Sequence, residues 1–139
     1  DLIVHNYGPS RSMASIHAEV PSKVDIEISH AVVDQIERDA LEKLGIFLVI
    51  HMDPVVTDDG ITEETRERVQ ALIHCIDDAI NIHDFRMVSG PTHTNLIFDA
   101  VVPFHFRLTD EEVRQKIQAA VRALDGNYYA VVNVERSYT

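Results

Sequence analysis

His51 and Asp53 stand two residues apart in the run Phe47-Leu48-Val49-Ile50-His51-Met52-Asp53-Pro54. The run is β-rich and follows Gly45. It meets Pro54, which has no N–H to extend a ladder, so a short strand ending there is predicted. Side chains alternate faces along a strand. Leu48, Ile50 and Met52 then share one apolar face, and Phe47, Val49, His51 and Asp53 share the other. An imidazole and a carboxylate at i and i+2 on one face are good donors for a borderline divalent metal. By itself the pair is a weak signal, since most His-x-Asp pairs are solvated edge residues, so its meaning depends on what else reaches the same face.

The segment Ser12 to Val20 alternates in the same way. Ala14, Ile16, Ala18 and Val20 face one side, and Met13, Ser15, His17 and Glu19 the other, the pattern of a half-buried strand. A helix is predicted from Ser29 as N-cap to Gly45 as terminator, with Val32, Val33, Ile36, Ala40, Leu41 and Leu44 inside. His30 falls in its first turn. If the helix packs on the apolar side of both strands, His17, His51 and Asp53 point to the open side and His30 lies near the sheet edge. Three imidazoles and a carboxylate then converge, with Glu19 as a further ligand or a supporting group. Zinc takes such N/O sets, usually four in tetrahedral array. Mn²⁺, Fe²⁺, Co²⁺ or Cd²⁺ would compete for them.

Composition narrows the partners. The chain has 139 residues, 45% of them apolar, enough for one compact domain or two very small ones. A net charge of −11 argues against nucleic acid and anionic membrane, which need a basic face, and favours cations. The lone Cys75 excludes an intrachain disulfide and fits a reducing compartment. It falls in a helical apolar pattern and is expected to be buried. There is no signal peptide and no apolar run of about 18 residues. The chain opens on Asp1 in strand-like sequence without an initiating Met, which reads as a piece of a longer protein.

The remaining elements repeat the first ones. Asp1 to Tyr7 is strand-like and turned by Gly8-Pro9. After the polar loop Pro54 to Gly60, a long amphipathic helix is predicted from Thr62 to about Asn81, striped by Val69, Leu72, Ile73, Ile76 and Ile80. Asp84 to Val88 and Asn95 to Val102 are strand-like around the turn Gly90-Pro91. Thr109-Asp110-Glu111-Glu112 is a capping box for a helix carrying Val113, Ile117, Ala120, Val121 and Leu124. Tyr128 to Glu135 is the last strand. A shift of 82 residues carries Gly8-Pro9 onto Gly90-Pro91, Val20-Pro21 onto Val102-Pro103 and Val49 onto Val131. The helices need a one-residue slip, pairing Val32 with Val113 and Ile36 with Ile117. The expected fold is α/β of the α+β kind: two tandem ββαβ open-faced sandwiches joined by a helix. The expected domains are residues 1–54, a linker 55–61, and a second, diverged copy 62–139 with its leading helix. The matching helix of the first unit would lie upstream.

Asp1-Leu-Ile-Val-His-Asn-Tyr-Gly-Pro, Ser15-Ile-His-Ala-Glu-Val-Pro, Ser29-His30, Asp34-Gln-Ile-Glu37 and Val49-Ile-His-Met-Asp-Pro54 together resemble the C-terminal cytoplasmic domain of cation diffusion facilitator transporters. The resemblance covers the first unit, Asp1 to Pro54. It implies a metallochaperone- or ferredoxin-like fold, a homodimer, and a cytosolic location beneath an upstream transmembrane domain of the same polypeptide. It implies a regulatory and dimerisation role in export of Zn²⁺ and related ions, and no enzymatic activity. The family's metal ligands carry over onto His17, His30, His51 and Asp53, with one more His just ahead of the position of Asp1, outside this sequence. The second unit departs from the pattern: His17 becomes Asp99, His30 becomes Glu111, His51 becomes Asn133 and Asp53 becomes Glu135. A weaker, harder set of His83, Asp99 and Glu135 remains conceivable there, better suited to Mn²⁺ or Fe²⁺. His5, His74, His93 and His105 have no assigned partners and are expected to be ordinary surface or core histidines.

Two other functions are open to this sequence. One is a metal-independent dimerisation scaffold in which the open-face histidines are incidental. The other is a small metallohydrolase using metal-bound hydroxide. The chain has no His-Glu-x-x-His, nucleophile elbow or Gly-rich phosphate loop to support the latter.

Overall fold

Alternating apolar residues and well-placed caps account for the elements found. In the computed structural model, residues 2–138 are described. They divide into two compact units, Asp1–Val55 and Val56–Thr139.

In the first unit, β1 (Ile3–Asn6) pairs antiparallel with β2 (Ser12–Pro21), and β2 pairs parallel with β3 (Ile46–Val55). Helix α1 (Ile26–Leu44) makes the crossover that a parallel pair requires. It begins a turn earlier than the sequence suggested. Asp25 is the N-cap, accepting from the Glu27 N–H at 2.8 Å, and Ser29 is buried inside the helix. Aspartate caps as well as serine does, and the turn closed by Val24 N–H on the Pro21 carbonyl sets the start. Gly45 ends α1 in the left-handed region at φ +65°, its N–H donating to the Leu41 carbonyl. Pro54 does not stop β3. It stays in register opposite Val20, because only alternate residues of a parallel strand need to donate toward a given neighbour.

In the second unit, β4 (Asn81–Ser89) pairs antiparallel with β5 (Thr94–Pro103), and β5 pairs parallel with β6 (Tyr128–Ser137). Helix α2 (Asp59–Ile76) precedes β4, and α3 (Asp110–Arg122) crosses from β5 to β6. Asp58, expected in a loop, caps α2 by accepting from the N–H groups of Gly60 and Ile61. The helix ends at Ile76, so Ile80 is buried in the connection and not on the helix. Cys75 is exposed, because the buried stripe of α2 runs through Val69 and Ile73 and residue 75 falls off that line. Thr109 and Glu112 close the expected capping box on α3. The core gathers Leu96, Phe98 and Val102 of β5 under Val69 and Ile73 of α2 and Ile117 of α3.

The strand bounds repeat between units. Ser12–Pro21 moved by 82 residues is Thr94–Pro103, and Ile46–Val55 becomes Tyr128–Ser137. Among the described residues, no helix is long and apolar enough to cross a membrane.

Candidate metal-binding groups on the open sheet faces

The parallel register of β2 and β3 sets His17 directly beside His51. Asp53, two residues along β3, lies on the same face and is in register with Glu19. The inward face of both strands (Ala14, Ile16, Leu48, Ile50) is covered to different degrees, while His17 and His51 remain exposed. The Asp53 carboxylate reaches both rings. Its Oδ2 lies 3.0 Å from His17 Nδ1 and its Oδ1 3.4 Å from His51 Nε2. The two ring centroids are 4.8 Å apart. One donor atom from each of the three residues lies within 4.8 Å of the others. In a tetrahedral zinc site with metal–nitrogen bonds near 2.05 Å, donor atoms sit about 3.3 Å apart. The two carboxylate–imidazole distances are close to that, though through different oxygens of Asp53, so a small divalent cation could be held after movement of the rings, with one or more positions left open. Asp53 is the least exposed of the three, with 21% of its side chain accessible, and its negative charge is what draws both imidazoles or a cation to this point.

His30 is placed elsewhere. It lies in α1, exposed, and is not brought into this group. One turn further along the helix, the carboxyl of Asp34 is held below the usual carboxylate range chiefly by the hydrogen bond from Arg38. The sheet directs its open face away from α1, so a residue on the helix cannot share that face without a loop to carry it round.

The second unit builds a related group at the same register positions. Asp99 of β5 is in register with Asn133 of β6, and Glu135 lies two residues further on. The third strand contributes here, because His83 of β4 pairs with Asp99. His83 Nδ1 lies 3.7 Å from Asp99 Oδ2, and its Nε2 lies 3.5 Å from Glu135 Oε2. Nearest of all is Asp84, at 3.1 Å from Nδ1. These carboxylates, the Asp84 hydrogen bond foremost, raise the His83 pKa above its ordinary value of 6.5. Asn133 does not enter the group; its side-chain N–H donates to Glu135 at 3.3 Å. Glu111, the counterpart expected for His30, is engaged by Arg114 and Gln115 on its own helix.

Asp84 is the residue that sequence reading did not assign. It sits at a positive φ of +54° in a bulge between His83 and Arg86. The signal was present: Ile82, Phe85 and Met87 all turn toward the core, and the step of three from Ile82 to Phe85 breaks strand alternation as a bulge does. Among the described residues, the other histidines stand outside both groups. His93 packs edge-on against Tyr129, and His105 against Phe104.

The chain has no significant match among curated proteins. The family model described as cation efflux protein, cytoplasmic domain, matches residues 1–55, the span of the first compact unit. Over those residues the chain is similar to the cytoplasmic domain of cation efflux proteins.

Proposed function

We propose that the chain is a metal-responsive dimerisation and regulatory module of a divalent metal exporter of the zinc type. The observation that carries this reading is the convergence of His17, His51 and Asp53 on the open face of the unit that the cation efflux family model matches. His17 and His51 would offer neutral nitrogens and Asp53 an anionic oxygen, a set suited to Zn²⁺ and, less selectively, to Mn²⁺, Fe²⁺, Co²⁺ or Cd²⁺. His30 would join only by moving with α1.

The regulatory argument is electrostatic. Two copies of a chain with net charge −11 repel each other. A bound cation removes part of that repulsion at the sheet face. It shifts the equilibrium toward an associated state only by the difference between its affinities for the two states. Because imidazole must shed its proton to bind, uptake falls on acidification. Residues 56–139 are read as a diverged second copy of the same domain. Its His83, Asp99 and Glu135 form a harder and weaker cation site.

A metal-independent scaffold is the second reading. The apolar part of each open face favours it: Phe47 and Val49 in the first unit, and Tyr129 and Val131 in the second, are exposed. Native mass spectrometry across a zinc titration, with His17→Ala/His51→Ala beside the parent, separates the two. Zinc uptake by the parent, lost in the double variant and accompanied by a firmer dimer, supports the metal-responsive module. Equal uptake by both proteins, or a dimer indifferent to zinc, leaves the scaffold.

A further inference from the structure

Each unit places an aromatic ring at the start of its last strand, in different surroundings. Moved by 82 residues, Phe47 of β3 is Tyr129 of β6 and Arg11 is His93; with the one-residue slip, Leu41 of α1 is Arg122 of α3. In the second unit this corner is filled from within. The Arg122 guanidinium lies over the Tyr129 ring, 4.1 Å from its centroid, and His93 meets the same ring edge-on at 5.0 Å. In the first unit Leu41 stands in place of the arginine, and Phe47 is 58% exposed. A cavity of about 370 Å³ opens beside it, where the turn after β1, the last turn of α1 and the start of β3 meet. Tyr7, Met13, Leu41 and Phe47 give it apolar walls, and Arg11 is the charged side chain among its lining residues. Among the described residues Arg11 has no ion-pair partner.

We propose that this cavity is a binding site for a small aromatic carboxylic acid. Two aromatic rings and a thioether favour a planar π-system, because rings stack offset or edge-on and sulfur adds a contact of its own. The guanidinium presents paired N–H donors that match the two oxygens of a carboxylate. The orientation follows from α1. The helix ends at Gly45, on one wall, and its carbonyl end carries a partial negative charge that repels a carboxylate. The acid group therefore lies toward Arg11 and the ring toward Phe47. A chain of net charge −11 works against a polyanion, which limits the head to one negative charge. The volume is that of a small-molecule site. His17, His51 and Asp53 do not line the cavity, so it is separate from the candidate metal group.

The test is a titration of the full chain with naphthoate, followed by the backbone amide signals in NMR. Shifts confined to residues 7–13 and 41–47 are expected, with a Kd near about 1 mM for a ligand of this size. Arg11→Gln and Phe47→Ala, both at exposed positions, are each expected to weaken binding by roughly tenfold or more. Naphthamide, which keeps the ring and loses the charge, is expected to bind the parent chain as weakly as naphthoate binds the Arg11→Gln variant. Shifts that are absent or spread over other surfaces overturn the proposal. So does an affinity that Arg11→Gln leaves unchanged, or naphthamide binding equal to that of naphthoate. An acetylated tripeptide ending in Phe carries a ring and a carboxylate on a chain. Tighter binding of that peptide than of naphthoate identifies a chain terminus as the occupant and also overturns the small acid; weaker binding supports it.

Discussion

The two units share strand bounds, register and turn residues, yet they differ in how much they bury. The second unit closes a core of fully buried aliphatic and aromatic side chains between its sheet and two helices. The first has one helix, and the buried members of its hydrophobic set are Ala14 and Val33. A Val-Ile pair four residues apart is core in α3, as Val113 and Ile117, and surface in α1, as Val32 and Ile36. Their open faces differ in the opposite sense. The first unit gathers two imidazoles and one carboxylate, and the second gathers one imidazole and several carboxylates. The unit with the weaker core has the softer, more zinc-like donor set, and the unit with the complete core has the harder one.

The largest expected difference is in packing. Ile117→Ala should cost about 2–5 kcal/mol of stability, as a large-to-small change at a fully buried site. Ile36→Ala should cost about 1 kcal/mol or less, as expected of an exposed position. Urea denaturation of both variants measures this, and equal costs would break the comparison between the helices. Next comes the donor set. Asn133→His supplies the second unit with an imidazole at the register position of His51. Zinc affinity of that unit should rise by at least the roughly tenfold that an outer partner of a metal ligand commands. Calorimetric titration in a His17→Ala/His51→Ala background reads it, and an unchanged affinity would mean that the two faces are not geometric equivalents.

The caps give a smaller contrast. Thr109→Ala removes one half of a reciprocal capping box and should destabilise the second unit by about 1 kcal/mol. Thermal unfolding followed by circular dichroism checks it. The smallest effect is pH linkage at His83. Its pKa is raised in the folded chain, first by the hydrogen bond to Asp84. The stabilisation it provides is therefore complete below about pH 6.5, the ordinary histidine value. It is lost as pH rises through the folded pKa. Asp84→Asn should bring the His83 pKa back toward 6.5 and lower stability at pH 6 but not at pH 9. Histidine titration by NMR with denaturation at both pH values reads the two outcomes. A parent His83 titrating at its ordinary value would remove this difference between the sites.

Much of this molecule was legible because short-range patterns report on short-range physics. Alternation in Ser12 to Val20 and Phe47 to Asp53 named the residues on each strand face, and Thr109 to Glu112 named a helix start. The start of α1 was missed because Asp25 and Ser29 are equally good caps, and the choice fell to the turn after Pro21. Pro54 was read as a stop, although in a parallel ladder it costs nothing when its missing N–H points away from the partner. Cys75 was read as buried because it lies among apolar neighbours in sequence, whereas burial follows the three-dimensional phase of α2.

The sequence by itself determined which residues could serve as ligands, which strands they ride on and which face they share, because a period of two and a fixed register leave little freedom. It also carried the 82-residue spacing that makes His17 and Asp99, or Asp53 and Glu135, counterparts. Only the tertiary structure decided which candidates meet. It joined His17, His51 and Asp53 and kept His30 on a helix directed to the other side of the sheet. It brought Asp84 to His83 through a bulge. It left Val32 and Ile36 of α1 exposed while burying Val113 and Ile117 of α3, and no local pattern records what packs from a distance.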